Sequence, residues 1–226
     1  MKSKLIFILF LVSFQAMSNQ IELPILAVYS PLGFDSNDNS QVMISGYLPN
    51  LCFKGPRSKS IVIGNNIFVS VTAHRSRGAN FCPEMVVPFD LVADLGQLRE
   101  SMYNIFVNGK SEFRYRSSIF ISPTNSDHVD SFIYANVESV EVKDGYLHLK
   151  GKNYGDCVVL DQINIISNRV NTYSVLPRMK LVKRQCNRGS YPFAYKVKFD
   201  NHLKVKKALF HVRVMDGRAI NRVIDL

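Results

Sequence analysis

No tryptophan occurs anywhere in the 226 residues, which removes the side chain most used to stack on sugar rings. The four cysteines, Cys52, Cys82, Cys157 and Cys186, form no Cys-x-x-Cys pair. None has a histidine at ligand spacing, so no zinc site is expected. No serine sits in a Gly-x-Ser-x-Gly elbow. No carboxylate pair has a context that suggests acid–base work, and no segment has convincing helical amphipathicity. The expectation is a non-catalytic protein with no metal and no cofactor, a binding or structural protein of the envelope. The alternatives are a purely structural spacer, or a small periplasmic enzyme or enzyme inhibitor, since catalytic groups can lie far apart in sequence.

The first residues read as an export leader. Lys2 and Lys4 precede the apolar run Leu5–Val12, extended by Ser13 and Phe14, and Ala16-Met17-Ser18 supplies small residues at a cleavage site. About ten apolar residues fall short of the roughly 20 that span a bilayer, and no later segment looks transmembrane. Cleavage after Ser18 is expected, with residence in the periplasm or outside the cell. Hydrophobic residues make up 46% of the chain, enough for packed cores.

Self-comparison reveals a repeat. Gly46 stands six residues before Cys52, and Gly151 six before Cys157. Pro88-Phe89 begins six residues after Cys82, and Pro192-Phe193 six after Cys186. Each copy ends in a strand-like run and a tight-turn pair, Asn108-Gly109 and Asp216-Gly217, which favour positive φ. The repeat pairs Cys52 with Cys82 and Cys157 with Cys186. Each bridge closes a loop of about 30 residues, worth roughly 3–4 kcal/mol in the chain-entropy account.

Alternation with β-branched and aromatic residues predicts strands over 41–45, 60–63, 67–71, 146–150, 158–166 and 219–224, with Gly64-Asn65-Asn66 as a hairpin turn. Residues 90–100 read either as a helical turn or as a strand and loop. Short strands with regular turns and an internal disulfide per 100 residues point to an all-β protein of two tandem β-sandwich modules. The expected organisation is leader 1–18, first module 19–116, linker 117–136, and second module 137–226.

The string Gly46–Cys52, then Cys82, Val87-Pro88-Phe89, Asp94–Leu98 and Tyr103–Gly109, resembles immunoglobulin-like modules in uncharacterised secreted proteins of Gram-negative bacteria, predatory species among them. The resemblance covers 27–109 well and the second copy only at its cysteine, Pro-Phe and turn positions. It implies an immunoglobulin-like sandwich and an export route, and no reaction. The second copy departs where Phe199-Asp200 stands for Leu95-Gly96.

Charge is the strongest functional hint. Residues 19–115 hold eight basic and eight acidic side chains, whereas 116–226 hold eighteen and ten. Two clusters stand out: Arg178, Lys180, Lys183 and Arg184, with Arg188 beyond, and Lys196, Lys198, Lys204, Lys206 and Lys207. Alternation puts Lys196 and Lys198 on one strand face, away from Tyr195, Val197 and Phe199. Such a face suits an anionic envelope surface or an acidic protein; nucleic acid fits the compartment poorly. Residues 35–39 (Asp-Ser-Asn-Asp-Asn) begin like a calcium loop, but Ser40 stands where that loop needs glycine and Gly46 where it needs glutamate. A polar turn explains them better. His211 reads as a packed or surface strand residue, and Tyr47, Tyr115 and Tyr154 as candidate platforms.

Overall fold

Burial with a period of two runs along most of the described chain, and every element among the described residues is a strand. The computed structural model describes residues 20–76, 81–109, 111–124 and 126–226. The expected leader, 1–18, lies outside the described residues.

The amino-terminal half contains β1 (Gln20–Glu22), β2 (Ile25–Tyr29), β3 (Phe34–Asp35), β4 (Ser40–Leu48), β5 (Phe53–Ile63), β6 (Asn66–Arg75), β7 (Val87–Gly96), β8 (Ser101–Val107) and β9 (Tyr115–Ser122). They form a small sheet, β2-β4-β7, and a large one, β1-β6-β8-β9-β3 with β5 beside β6. Inward residues such as Val42, Ile44, Ile67, Val71, Ile105 and Ile119 close one core. The carboxy-terminal half contains β10 (Ile133–Tyr134), β11 (Val137–Lys143), β12 (Tyr146–Gly155), β13 (Val158–Ser167), β14 (Thr172–Leu181), β15 (Arg188–Lys198), β16 (Lys207–Val214) and β17 (Arg218–Asp225). Its small sheet is β11-β12-β15; its large one is β10-β14-β16-β17 with β13 beside β14. Leu147, Leu149, Tyr173, Val175, Phe210 and Val212 centre a second core.

β6 pairs parallel with β8, and β14 parallel with β16. The remaining strand pairs are antiparallel, apart from the short parallel pair β3–β9.

The repeated glycine has a steric cause. Gly46 lies opposite Phe89 in the register, and a Cβ there would fall 2.3 Å from the Pro24 carbonyl oxygen and 2.7 Å from the Phe89 ring. Gly151 lies opposite Phe193, and its Cβ would meet the Asn136 oxygen at 2.1 Å and the Phe193 ring at 2.7 Å. Glycine is the residue that lets chain and ring approach so closely. Both disulfides form as the repeat predicts, with Cα separations of 5.3 Å for Cys52–Cys82 and 5.1 Å for Cys157–Cys186.

Two expectations change. The linker expected over 117–136 begins inside β9, whose Ile119 and Ile121 alternate into the first core and pair with β8. Its far end is also committed, because β10 pairs with β14. Residues 87–96 form the strand β7, which settles the 90–100 ambiguity in favour of a strand and loop.

The halves share an interface. The outer face of the β14-β16-β17 sheet lies on the outer face of β2-β4 and the segment after it. Leu209 packs on Tyr29 and Met43. The Leu32 amide donates to Ser174 Oγ at 2.8 Å, and Asn171 Nδ2 donates to the Val28 carbonyl at 3.0 Å. This covering explains why β16 is buried at every position from Ala208 to Val214, where a strand solvated on one side would alternate.

Candidate functional site

The small sheet of the carboxy-terminal half keeps its outer face in water. Cross-strand register places Glu141, His148 and Lys196 in one row and Lys143, Tyr146 and Lys198 in the next. Lys150 follows, opposite Ala194. Lys143, Lys150, Lys196 and Lys198 are all exposed, while Tyr195 and Val197 turn partly inward and Phe199 is buried. Lys196 sits over the Tyr146 ring at 4.0 Å. Lys143 and Lys150, which lie far from β15 in sequence, join this face only through strand pairing. At the positions that match by the shared glycine and Pro-Phe pair, the amino-terminal half carries Ser45, Asp90 and Asp94 instead of Lys150, Ala194 and Lys198.

The other predicted cations are dispersed. Arg178 is half-buried and stacks on Phe132, with its guanidinium carbon 3.5 Å from the ring centre. Lys180 pairs with Asp161 at 3.3 Å. Lys183 bonds Asp156 at 2.6 Å, and the Asn187 amide donates to the same carboxylate at 3.0 Å. The Lys183 bond, then the Asn187 backbone bond, hold Asp156 down to about 2. Arg184 and Arg188 are exposed and carry no ion pair among the described residues. Lys204 is exposed on the chain between β15 and β16. Lys207 lies 3.9 Å from Asp225. Lys206 and Lys207 also form one wall of a cleft of about 550 Å³ between the halves, opposite Leu26, Pro88, Asp90 and Tyr115. The two sequence clusters therefore do not make one continuous surface through contacts of their own; Lys196 and Lys198 share a face, and Lys206 and Lys207 share a cleft.

A charged site that sequence reasoning missed lies in the interface. Arg213 projects from β16 and donates to Asp38 through both terminal nitrogens, at 2.6 and 2.9 Å. It also bonds Asp130, whose second oxygen accepts the Gly217 amide at 2.9 Å. Arg213 and Asp38 side chains are each only 3% exposed. The guanidinium carbon lies 5.2 Å from the ring centres of both Phe34 and Tyr134. Burial, the largest single influence, opposes the arginine charge, but the bonds and charge of Asp38 with Tyr134 and Asp130 outweigh it and raise its pKa. One sequence signal existed: an arginine between Val212 and Val214 in a strand run whose remaining residues from Ala208 to Met215 are apolar except His211.

The neighbouring His211 is fully buried, with its ring 5.4 Å from that of Phe34. Its Nδ1 meets Asn221 Oδ1 at 2.7 Å, so Nδ1 carries the hydrogen, and Nε2 has no partner. Burial pushes its pKa down to about 4.

The turn 35–39 folds on itself. The Asp35 amide donates to Asp38 Oδ2 at 2.7 Å, and the Asp38 amide to the Asp35 carbonyl at 3.0 Å. With Asp38 committed to Arg213, this is a docking turn. No group of three or more metal-ligating side chains occurs among the described residues. Of the candidate aromatic platforms, Tyr154 is exposed and Tyr47 half-buried, while Tyr115 lines the cleft.

Residues 42–115, from within β4 to the start of β9, match the model of the ORF11 beta-sandwich domain. No curated protein and no solved structure matches the chain.

Proposed function

We propose that this is a non-catalytic binding protein of the cell envelope, secreted or periplasmic, in which two tandem immunoglobulin-like β-sandwich modules follow a cleaved leader. The second module presents a cationic face to an anionic envelope surface or an acidic protein. The observation that carries the reading is the shared exposure of Lys143, Lys150, Lys196 and Lys198 on the outer face of β11-β12-β15, with Glu141 as the acid in the same rows. Attraction from clustered cations adds, is worth about 1 kcal/mol per residue near an anionic membrane, and is screened over about 10 Å at 0.1 M salt. Support for tandem modules comes from the recurring strand pairings and the matching glycine, disulfide and Pro-Phe positions. The parallel β6–β8 and β14–β16 pairs depart from an all-antiparallel immunoglobulin pattern. Two disulfides suit an oxidising compartment.

The test uses the whole mature chain, because the halves share an interface. Co-sedimentation with vesicles containing anionic lipid, and with anionic wall polymer, should show binding that falls with salt. Lys196→Glu with Lys198→Glu should cut it at least tenfold. Binding indifferent to both salt and charge reversal would overturn the reading. A rigid spacer is the second reading, favoured by the buried Arg213–Asp38 pair that couples the halves. Indifference to every surface would favour it.

A further inference from the structure

The end of the carboxy-terminal sandwich that carries Cys157–Cys186 contains a separate hollow of about 280 Å³. Its walls are apolar: Ile133, Tyr154, Val158, Leu181 and Met215 surround the disulfide. The rim leaves large apolar surface in water, with Tyr154 58% and Leu181 59% exposed. A concave, mostly apolar lining of this kind is the usual form of a ligand pocket. Its volume lies just below the usual 300–1,000 Å³ of small-molecule sites, which suits one slender chain.

Two exposed arginines stand beside the hollow in sequence and in strand register. The segment after β14 runs along the hollow, since the Val182 amide donates to the Cys157 carbonyl at 2.7 Å. Arg188 stands opposite Gly155, a wall residue, and Arg184 lies two residues before Cys186. Of the acids next to wall residues, Asp156 is already held by Lys183 and Asn187, and Asp216 follows Met215 on the exposed turn after β16. Arg184 and Arg188 are thus left as exposed cations beside an apolar cavity.

We infer that this hollow binds an anionic amphiphile, taking a single acyl chain between Tyr154, Val158 and Leu181 and pairing its acidic headgroup with Arg184 and Arg188. The site is distinct from the lysine face of β11-β12-β15, and the ligand is a lipid-like molecule carrying a tail. A free anion would have no use for the cavity, and a neutral amphiphile no use for the arginines.

Calorimetric titration of the full mature chain with dodecyl phosphate below its micelle concentration tests the inference. Dodecyl maltoside and inorganic phosphate serve as the neutral and tail-less probes. Dodecyl phosphate should bind one site at least tenfold more tightly than either. Arg184→Glu with Arg188→Glu should weaken it at least tenfold, as should Leu181→Asp. Both changes lie on exposed positions, so the fold is retained, which an unchanged melting temperature would verify. Lys196→Glu with Lys198→Glu should leave this binding intact while reducing adsorption to wall polymer. Equal affinity for dodecyl maltoside, or no loss with Leu181→Asp, would overturn the inference. Loss only with the Lys196 and Lys198 changes would transfer the anionic headgroup to the lysine face and overturn it equally.

Discussion

His211 and Arg213 sit two residues apart on β16 and respond oppositely to burial. The imidazole gives up its charge, and its pKa falls to about 4. The unfolded chain takes up a proton near pH 6.5 that the folded chain refuses. Stability from His211 is therefore fully present above that pH and is lost as pH falls toward 4, by up to about 3 kcal/mol. Urea unfolding at pH 7 and pH 4.5 should show this loss, and His211→Gln should shrink it. Arg213 keeps its charge because Asp38 satisfies it. Arg213→Ala strands Asp38 in the interface and should cost about 3–5 kcal/mol. Replacing both, Asp38→Leu with Arg213→Met, should recover part of that, because it removes the most buried pair with its desolvation cost while Asp130 keeps the Gly217 amide. Urea midpoints of the three variants would check the order. Asp156 differs, being held charged down to about 2 by an exposed lysine. Lys183→Ala should raise its titration midpoint toward the ordinary carboxylate range, as carbon-detected NMR would read.

At the level of strands and turns, the repeat becomes a packing rule. A tyrosine or lysine follows each bare glycine, and the amide of that residue reaches the carbonyl the glycine admits: Tyr47 to Pro24 and Lys152 to Asn136, both at 3.3 Å. Gly46→Ala and Gly151→Ala should each destabilise by at least about 2 kcal/mol, since backbone rather than a flexible side chain blocks the new methyl. Thermal melts of the two variants should fall by similar amounts. This layer was largely legible in the sequence. Glycine-to-cysteine spacing, Pro-Phe and turn pairs are local signals, and Asp216 and Gly217 indeed have φ of 65° and 68°. Residues 117–122 of β9 resemble linker in the sequence because Ser117 and Ser118 interrupt its apolar alternation and the turn-rich stretch 122–127 follows directly. Asn108-Gly109 has the expected positive φ, but the turn is longer than a two-residue hairpin, with β9 starting only at Tyr115.

Across the whole molecule, the sequence showed the charge asymmetry but not where the charges stand. Lys180 and Lys183 are tied to acids, Arg178 is stacked on a ring, and Lys143 joins Lys198 only through pairing across two strands. No spacing rule links Asp38 to Arg213, which are 175 positions apart, so the contact between the halves could not be read from local pattern. That contact should make unfolding a single calorimetric transition in the intact chain. Arg213→Ala should separate it into two. Two resolved transitions in the unaltered protein would show that the interface contributes little coupling.

The same separation sets a sequence in time. Any chain made from its amino end delivers Asp38 long before Arg213, with β16 among the last strands to appear. The earlier half can close its own core and disulfide while Tyr29, Met43 and Asp38 still wait in water for Leu209 and Arg213. In water Asp38 is comfortable as an anion, so waiting costs nothing. It becomes committed only when its arginine arrives. A chain cut short before β16 would keep that surface open, and would be marked as unfinished by the patch it leaves uncovered.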